Sequence, residues 1–503
     1  MVLEYFPNYD DYDINKQNPQ IQIYGHRIYK DQTLYEYLLE FLLVFISPKS
    51  EGKEDYAKIK EDGFYFNKIE DETNKLHYYP SPRMGLKRFV FFNRSDQEKR
   101  FEIDRYALAH HREHLKQTIN VGSSSYNKEF ALDVLQDLFY GYNAIIGKRS
   151  WFAQSLLPLS PEIIFSESIG KKTTRTEHLK TTDSFLKIDS EFNFSQHMFM
   201  ARGGEVYYLH VIQGLSQLED SWRDELSEKL KEMVSSIPQL SSLANYIQGQ
   251  WEEVVDPIDD APQFHYLDKT MEVIPKDYEN VAQDTVKELH NLLFSELDTF
   301  EKVELVGNLI ALQVMRMMTY RSSSVLGLNS KQAWVIDLTK NTQGSIRKKA
   351  VQTYESLEEN IFRTIHTVVD EDTVEGKGKA NLLTDAAKDT SLLIRKLGKD
   401  IGLVIPPTGG NMRMSLNENL VKILVLSLIK PGERLLFTTF LELCYEHFNM
   451  IIGPKEAEKH FEHISYLNEF SENEQNFLEL LRNCGFLRNL SDATSIVENP
   501  FKG

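Results

Sequence analysis

Cysteine is almost absent: two residues in 503, Cys444 and Cys484, both in the final segment. So few thiols exclude a disulfide scaffold and a Cys-rich zinc module, and they fit a reducing compartment. Long hydrophobic runs are missing as well. The longest apolar stretches, 37–46 and 420–429, fall short of the ~20 residues that a bilayer-crossing helix needs. The sequence opens MVLEYFPNYDDYD, acidic and aromatic rather than basic then apolar, so no secretory leader is read there. A cytoplasmic protein without membrane contact is the expectation. Positive charge is also scarce, with 57 Lys and Arg against 75 Asp and Glu, a net charge of −18 and a pI near 5.3. That balance excludes a surface coated throughout by nucleic acid, while leaving room for a local basic patch.

What is abundant is aromatic: 24 Tyr and 29 Phe, enough for large ring-filled cores and for aromatic interfaces. The length exceeds one ordinary core and suggests about three domains. Composition and patterning divide the chain into an aromatic-rich α/β domain at 1–215, a helical domain at 216–403, a linker at 404–412 and a C-terminal domain at 413–503. The linker reading rests on VIPPTGGN, which holds two prolines and two glycines.

In the first part, DQTLYEYLLEFLLVFISP reads as a helix that begins at Asp31 and Thr33 and ends before Pro48. Its apolar positions surround most of the axis, which predicts burial. GFYFNK, KRFVFFNR and GGEVYYLHVIQG read as strands bounded by turn residues. RFEIDRYALAHHREHLKQ and NKEFALDVLQDLFYGYNAI read as helices, and the polar run at 170–184 as a mobile loop. Further on, Asp298 and Glu301 have capping-box spacing ahead of a heavily apolar helix, and 280–297, 346–369 and 380–400 are helical candidates. The SSS triplets at 123–125 and 322–324 read as loops.

After the linker, Ser415 with Glu418, and Ser471 with Glu474, have the spacing of helix starts. Thr438 is placed to cap TFLELCYEHFN, Pro454 to open a helix and Gly485 to close one. The chain then finishes in FLRN-LSD-ATSIV, two short apolar runs split by a turn. Helix, short strand, helix, turn, helix and closing hairpin, over 411–503, resemble a winged-helix domain. Such a domain implies DNA binding through a recognition helix. Its best candidate here, PKEAEKHFEHI, sets Lys455 and Lys459 against three glutamates, and 411–503 carries nine Lys and Arg against thirteen Asp and Glu. Phosphate binding needs the opposite sign. The expectation is therefore a protein-binding module, with Lys455, Lys459, Phe461, Tyr466 and Arg488 as candidate partner contacts, expected to fold on its own. An aromatic-rich body with such a terminal module also resembles accessory subunits of bacterial multi-gene systems that act on foreign DNA, which would place the chain in antiphage defence.

Candidate chemistry is sparse. His110 and His114 share a helix face at a spacing that can hold zinc, but no third ligand or metalloprotease glutamate accompanies them, so no metal is expected. Glu205 opens a run in which a nuclease would need a following Lys, and none is there. VEGKGK is not a phosphate loop, and no nucleophile motif is present. The basic, aromatic run 81–100 could hold nucleic acid weakly through Arg83, Lys87, Arg88, Arg94 and Arg100, or be a half-buried strand with flanking charges; GKRSWF and SIRKKA are smaller basic spots. No catalytic residue and no cofactor is assigned. The expected function is a non-enzymatic, DNA-associated subunit acting through protein contacts. The alternatives are a DNA-binding regulator and a nuclease built from scattered acids.

Overall fold

The computed structural model describes residues 19–51, 63–68, 76–81, 83–91, 102–122, 127–145, 155–165, 168–169, 197–198, 203–254, 269–271, 279–328, 332–367, 377–491 and 494–502. These are mainly helical, with few and small sheets. In chain order the helices are α1 Pro19–Tyr24, α2 Leu34–Ile46, α3 Met84–Val90, α4 Glu102–Thr118, α5 Lys128–Tyr140, α6 Gly203–Ser216, α7 Asp220–Val234 and α8 Pro238–Val254. They continue as α9 Glu279–Phe294, α10 Thr299–Val325, α11 Ser345–Thr367, α12 Lys377–Asp400, α13 Glu418–Leu428, α14 Phe437–Phe448, α15 Pro454–His460 and α16 Leu467–Asn483. Among the described residues no helix is long and apolar enough to cross a membrane.

The 27-residue α10 is the axis of the core, and α2, α9, α11 and α12 pack around it. Its start follows the sequence expectation: Asp298 accepts from the Phe300 N–H at 3.0 Å. Its length does not, because Ser322, Ser323 and Ser324 continue the helix rather than form a loop. Ser322 returns its hydroxyl to the Met318 carbonyl at 2.8 Å and meets the Tyr24 hydroxyl at 2.8 Å, so helix and tertiary bonds satisfy a polar group that reads locally as a turn former.

Helix α2 is buried almost all round, as its pattern predicts, and the Thr33 N–H donates to Glu36 Oε2 at 2.6 Å where it begins. The segment GGEVYYLHVIQG, expected as a strand, is helix α6. Its two glycines make no turn. They let α6 cross α2 at backbone contact, since a Cβ on Gly204 would sit 2.3 Å from the Tyr37 carbonyl oxygen. Glu40 of α2 then accepts from the Gly204 N–H at 2.9 Å, closing the helix start with a carboxylate. Rings fill the crossing, Phe41 on Tyr207 at 5.1 Å and Phe66 on Tyr208 at 5.4 Å between centres. KRFVFFNR also departs from expectation, because its described part lies in α3. GFYFNK runs outside any sheet, with Phe66 pressed into the same aromatic cluster. The loop expected at 170–184 lies outside the described residues.

The strands are β1 Lys49–Glu51, β2 Leu76–Tyr78, β3 Asn143–Ile145, β4 Ser155–Leu156, β5 Ser168–Ile169, β6 His197–Met198, β7 Lys269–Met271, β8 Trp334–Val335, β9 Val404–Ile405, β10 Arg413–Met414, β11 Arg434–Leu436, β12 Met450–Ile451, β13 Leu487–Ser491 and β14 Thr494–Glu498. β1, β2 and β7 make a small antiparallel sheet, and β3–β4, β5–β6 and β9–β10 are antiparallel pairs. The Pro- and Gly-rich stretch read as a linker therefore joins β9 to β10 as a hairpin, with residues 407–411 exposed at its tip.

From 413 onward the elements alternate as the sequence suggests, and β11, β14 and β13 form one antiparallel sheet in that order. The caps shift. Asn417, not Ser415, opens α13, accepting from the Leu420 N–H at 2.8 Å, and α16 starts at Leu467, which puts Ser471 inside it. Helix α14 starts at Phe437, which puts Thr438 inside it rather than at its cap, while α15 starts at Pro454 and Gly485 has a left-handed φ of 80° beyond α16, both as expected. β12 pairs in parallel with β8, and one large apolar cluster runs continuously from α1 to β14.

Candidate functional site

The densest polar chemistry in the described core lies where α9, α10 and the end of α14 meet. Glu288, on α9, is fully buried. It accepts from Arg316 Nη1 at 2.6 Å, His447 Nδ1 at 2.6 Å and Gln313 Nε2 at 2.8 Å. Arg316 Nη2 reaches Thr285 Oγ1 at 2.7 Å, and the Tyr207 hydroxyl donates to Gln313 Oε1 at 2.5 Å. The guanidinium also lies 4.7 Å from the Phe448 ring centre. Burial alone would raise the Glu288 carboxyl, but the Arg316 charge and the His447 hydrogen bond hold it below the ordinary glutamate value. His210 contacts the same Thr285 at 2.9 Å, and burial, helped by the Arg316 charge, pushes its imidazole down to about 3.

Above this network opens a cavity of about 510 Å³. Asp284 lines it from α9, Arg316 and Tyr320 from α10, Trp334 from β8, and Glu446, His447 and Asn449 from the end of α14. Trp334 and Arg316 are almost wholly buried, yet Trp334 Nε1 and Arg316 Nε make no hydrogen bond, nor does Asn449 Oδ1. Asn449 adopts a left-handed φ of 56°, a conformation Asn tolerates, and so turns the chain from α14 into β12.

Two further polar clamps hold β8 and its neighbours. Buried Asp337 accepts from Arg347 Nε at 2.8 Å, Arg413 Nε at 2.6 Å and the Thr339 hydroxyl at 2.6 Å. Burial pushes this carboxyl up, but those bonds outweigh it and keep it below its usual value. Asn473 donates to the Ile336 and Ile452 carbonyls, both at 2.9 Å, and accepts from the Leu338 N–H at 2.8 Å.

The residues singled out from the sequence lie elsewhere. Lys87 and Arg88 are buried, 6.0 Å and 5.6 Å from the ring centres of Phe165 and Trp251, so neither presents its charge to a phosphate backbone. Arg83 donates to Asn245 at 2.8 Å; Arg94 and Arg100 lie outside the described residues. Lys455 is paired with Glu442, Lys459 stands 5.2 Å from the Tyr445 ring centre, and Arg488 is paired with Glu498. Phe461 packs beneath Lys349 at 4.4 Å and Tyr466 stacks on Phe470 at 6.0 Å. Glu205 is buried on α6, with the Tyr78 hydroxyl donating to it at 3.2 Å. His114 meets Glu253 at 3.2 Å, and His111, not singled out, is the buried histidine of that helix, bonded to the Ile247 carbonyl at 3.0 Å. Among the described residues no group of three or more His, Cys, Asp or Glu side chains is placed to hold a metal ion.

Sequence reasoning missed the Glu288–Arg316 network. The available signal was the pair Gln313 and Arg316, one turn apart within the apolar run LIALQVMRMM. The chain matches no protein-family model, and comparison with curated proteins and with solved structures found no significant match.

Proposed function

We propose that this chain is a non-enzymatic, cytoplasmic subunit of a multiprotein bacterial complex associated with DNA, of the kind that acts in antiphage defence. On this reading residues 413–503 are a winged-helix-like domain that binds protein. The β11–β14–β13 order around three successive helices supports the winged-helix reading, because it brings the first strand beside the last and leaves the β13–β14 turn as the wing. One observation carries the choice of protein over DNA. The candidate recognition helix, α15, is seven residues long, and both its lysines are already engaged, Lys455 by Glu442 and Lys459 by the Tyr445 ring. Neutralising phosphates would require those cations to be released in an acidic setting.

A second surface suits the same role. Phe130, Val134 and Leu138 recur every fourth residue on α5 and are 59%, 48% and 43% exposed. An apolar stripe of this kind marks interaction surfaces more often than idle ones.

The test is purification of the tagged full chain from its native cells, followed by cross-linking. Stoichiometric protein partners are expected, with cross-links on 454–467 and 487–498, and combined Lys459→Glu and Arg488→Glu should weaken their retention. Recovery of the chain alone would defeat the proposal. So would duplex-DNA binding with a steep salt slope that disappears with Lys455→Glu and Lys459→Glu; that result would establish the regulator alternative.

A further inference from the structure

We infer that the groove between the end of α15 and the start of α16 binds an extended segment of a partner protein, one that sets an apolar residue beside lysine or arginine. This deepens the protein-binding reading of residues 413–503 and rests on it. The groove encloses about 600 Å³, with Phe461, Ile464 and Leu467 as its apolar lining and Glu458 and Glu462 as its acids. The three apolar side chains are half-buried. Phe461 and Ile464 rest on the small core that holds Val335, Ile451 and Phe470, so the fold fixes their inner sides while their outer sides stay open. An apolar side chain laid across them would leave water on one face and bury part of theirs.

The backbone points to a peptide as the occupant. Residues 461–466 belong to no helix or strand, and among the described residues the N–H groups of 462–465 donate to no protein acceptor. A run of open donors suits an incoming main chain, whose carbonyls accept from them while its side chains settle in the groove. Charge then selects the residue beside the anchor. Glu458 and Glu462 are exposed, and among the described residues neither forms an ion pair, whereas Glu442 is held by Lys455 and Glu498 by Arg488. The neighbouring cations are engaged by rings, Lys349 by Phe461 and Lys459 by Tyr445. A lysine or arginine on the segment meets two available carboxylates, while the phosphates of nucleic acid would be repelled by them.

Methyl-labelled full chain, titrated with short synthetic peptides, tests this by NMR. One set places leucine or phenylalanine between lysines or arginines. A second keeps that anchor and replaces the cations by glutamate, and a third keeps the cations and replaces the anchor by serine. First-set peptides should shift the Ile464 and Leu467 methyl signals at ~1 mM or below, and their affinity should fall as salt rises. Glu458→Lys combined with Glu462→Lys changes two exposed positions, so the thermal midpoint should hold while that affinity drops about tenfold. The inference is overturned if no first-set peptide shifts those methyls, if the second or third set binds as well, or if the folded double variant binds as tightly as the parent. Should the peptides fail while native partners still co-purify with the parent chain, the groove is excluded and the protein-binding reading stands. Recovery of the parent chain without partners would overturn both.

Discussion

Replacing Glu288 by Gln removes one charge and almost no volume, so its cost reports on electrostatics rather than packing. Glu288 is fully buried, and both of its oxygens accept hydrogen bonds: Oε1 from Arg316 and His447, Oε2 from Gln313. In Glu288→Gln one of those oxygens becomes an NH₂ facing a donor. Gln313 cannot rotate its amide to compensate without losing the bond from Tyr207. Arg316 meanwhile keeps a buried charge without its carboxylate. Breaking a buried ion pair in this way costs about 3–5 kcal/mol. At about 2 °C per kcal/mol, the low end for large domains, the midpoint of thermal unfolding should fall by about 6–10 °C. The double variant Glu288→Leu with Arg316→Met removes both charges together and should recover part of that loss, the bonds to His447, Gln313 and Thr285 remaining unmade. Differential scanning calorimetry with urea unfolding provides the readout. The carboxyl sits below its ordinary value of 4.5 in the fold, so its contribution is complete at neutral pH and is lost as pH falls through the folded value. The deficit of Glu288→Gln should therefore shrink in acid. A Glu288→Gln variant within ~0.5 kcal/mol of the parent, or a double variant no better than the sum of the two single ones, refutes the reasoning.

Acid should destabilise the protein well before its carboxylates titrate. His111 and His210 are both pushed down to about 3, by burial foremost, so between 6.5 and 3 the unfolded chain takes up two protons that the folded one refuses. Between pH 6.5 and 5.5 these two groups should lower stability by about 2 kcal/mol, and His111→Phe should remove about half of that loss, measured by urea titration at the two pH values. Asn473→Ala strands two carbonyls and one N–H at the β8–β12 junction; a loss of about 2–4 kcal/mol is expected, with faster amide exchange at Leu338, and unchanged exchange there would argue against the clamp. Proteolysis at the exposed tip 407–411 should leave two pieces that co-elute, because the Arg413–Asp337 bond, the parallel strand pair and the continuous apolar cluster hold them. Separation of the pieces without denaturant would contradict this.

Long helices were legible because their apolar period and their caps agree, as at 34–46 and from Asp298 onward. The strand reading of 203–214 failed for a physical reason: paired glycines mean close approach as readily as they mean a turn, and only the presence of α2 decides which. Ser322 failed similarly, since its local hydrogen-bonding preference yielded to the helix and to Tyr24, and Ser471 instead lies inside its helix with its hydroxyl on the Leu467 carbonyl. The cavity was hardest to foresee. Its walls come from positions 284, 316, 334 and 447, and no local pattern joins residues so far apart. Lys87 and Arg88 misled in the opposite direction, because a basic, aromatic run looks alike whether its charges face solvent or are enclosed by rings.

The parallel pairing of β8 with β12 also governs how the chain is made. On a ribosome, Val335 emerges 116 residues before its partner Ile451. At 5–20 residues per second that interval lasts roughly 6–23 s. Throughout it, Trp334 and Val335 lack their parallel partner strand and leave an apolar edge, a template for other unfinished chains, while Ile336 meets Met414 earlier. Slower initiation, cooler growth or abundant holdase chaperones should therefore raise the yield of native protein more than any change to the finished fold.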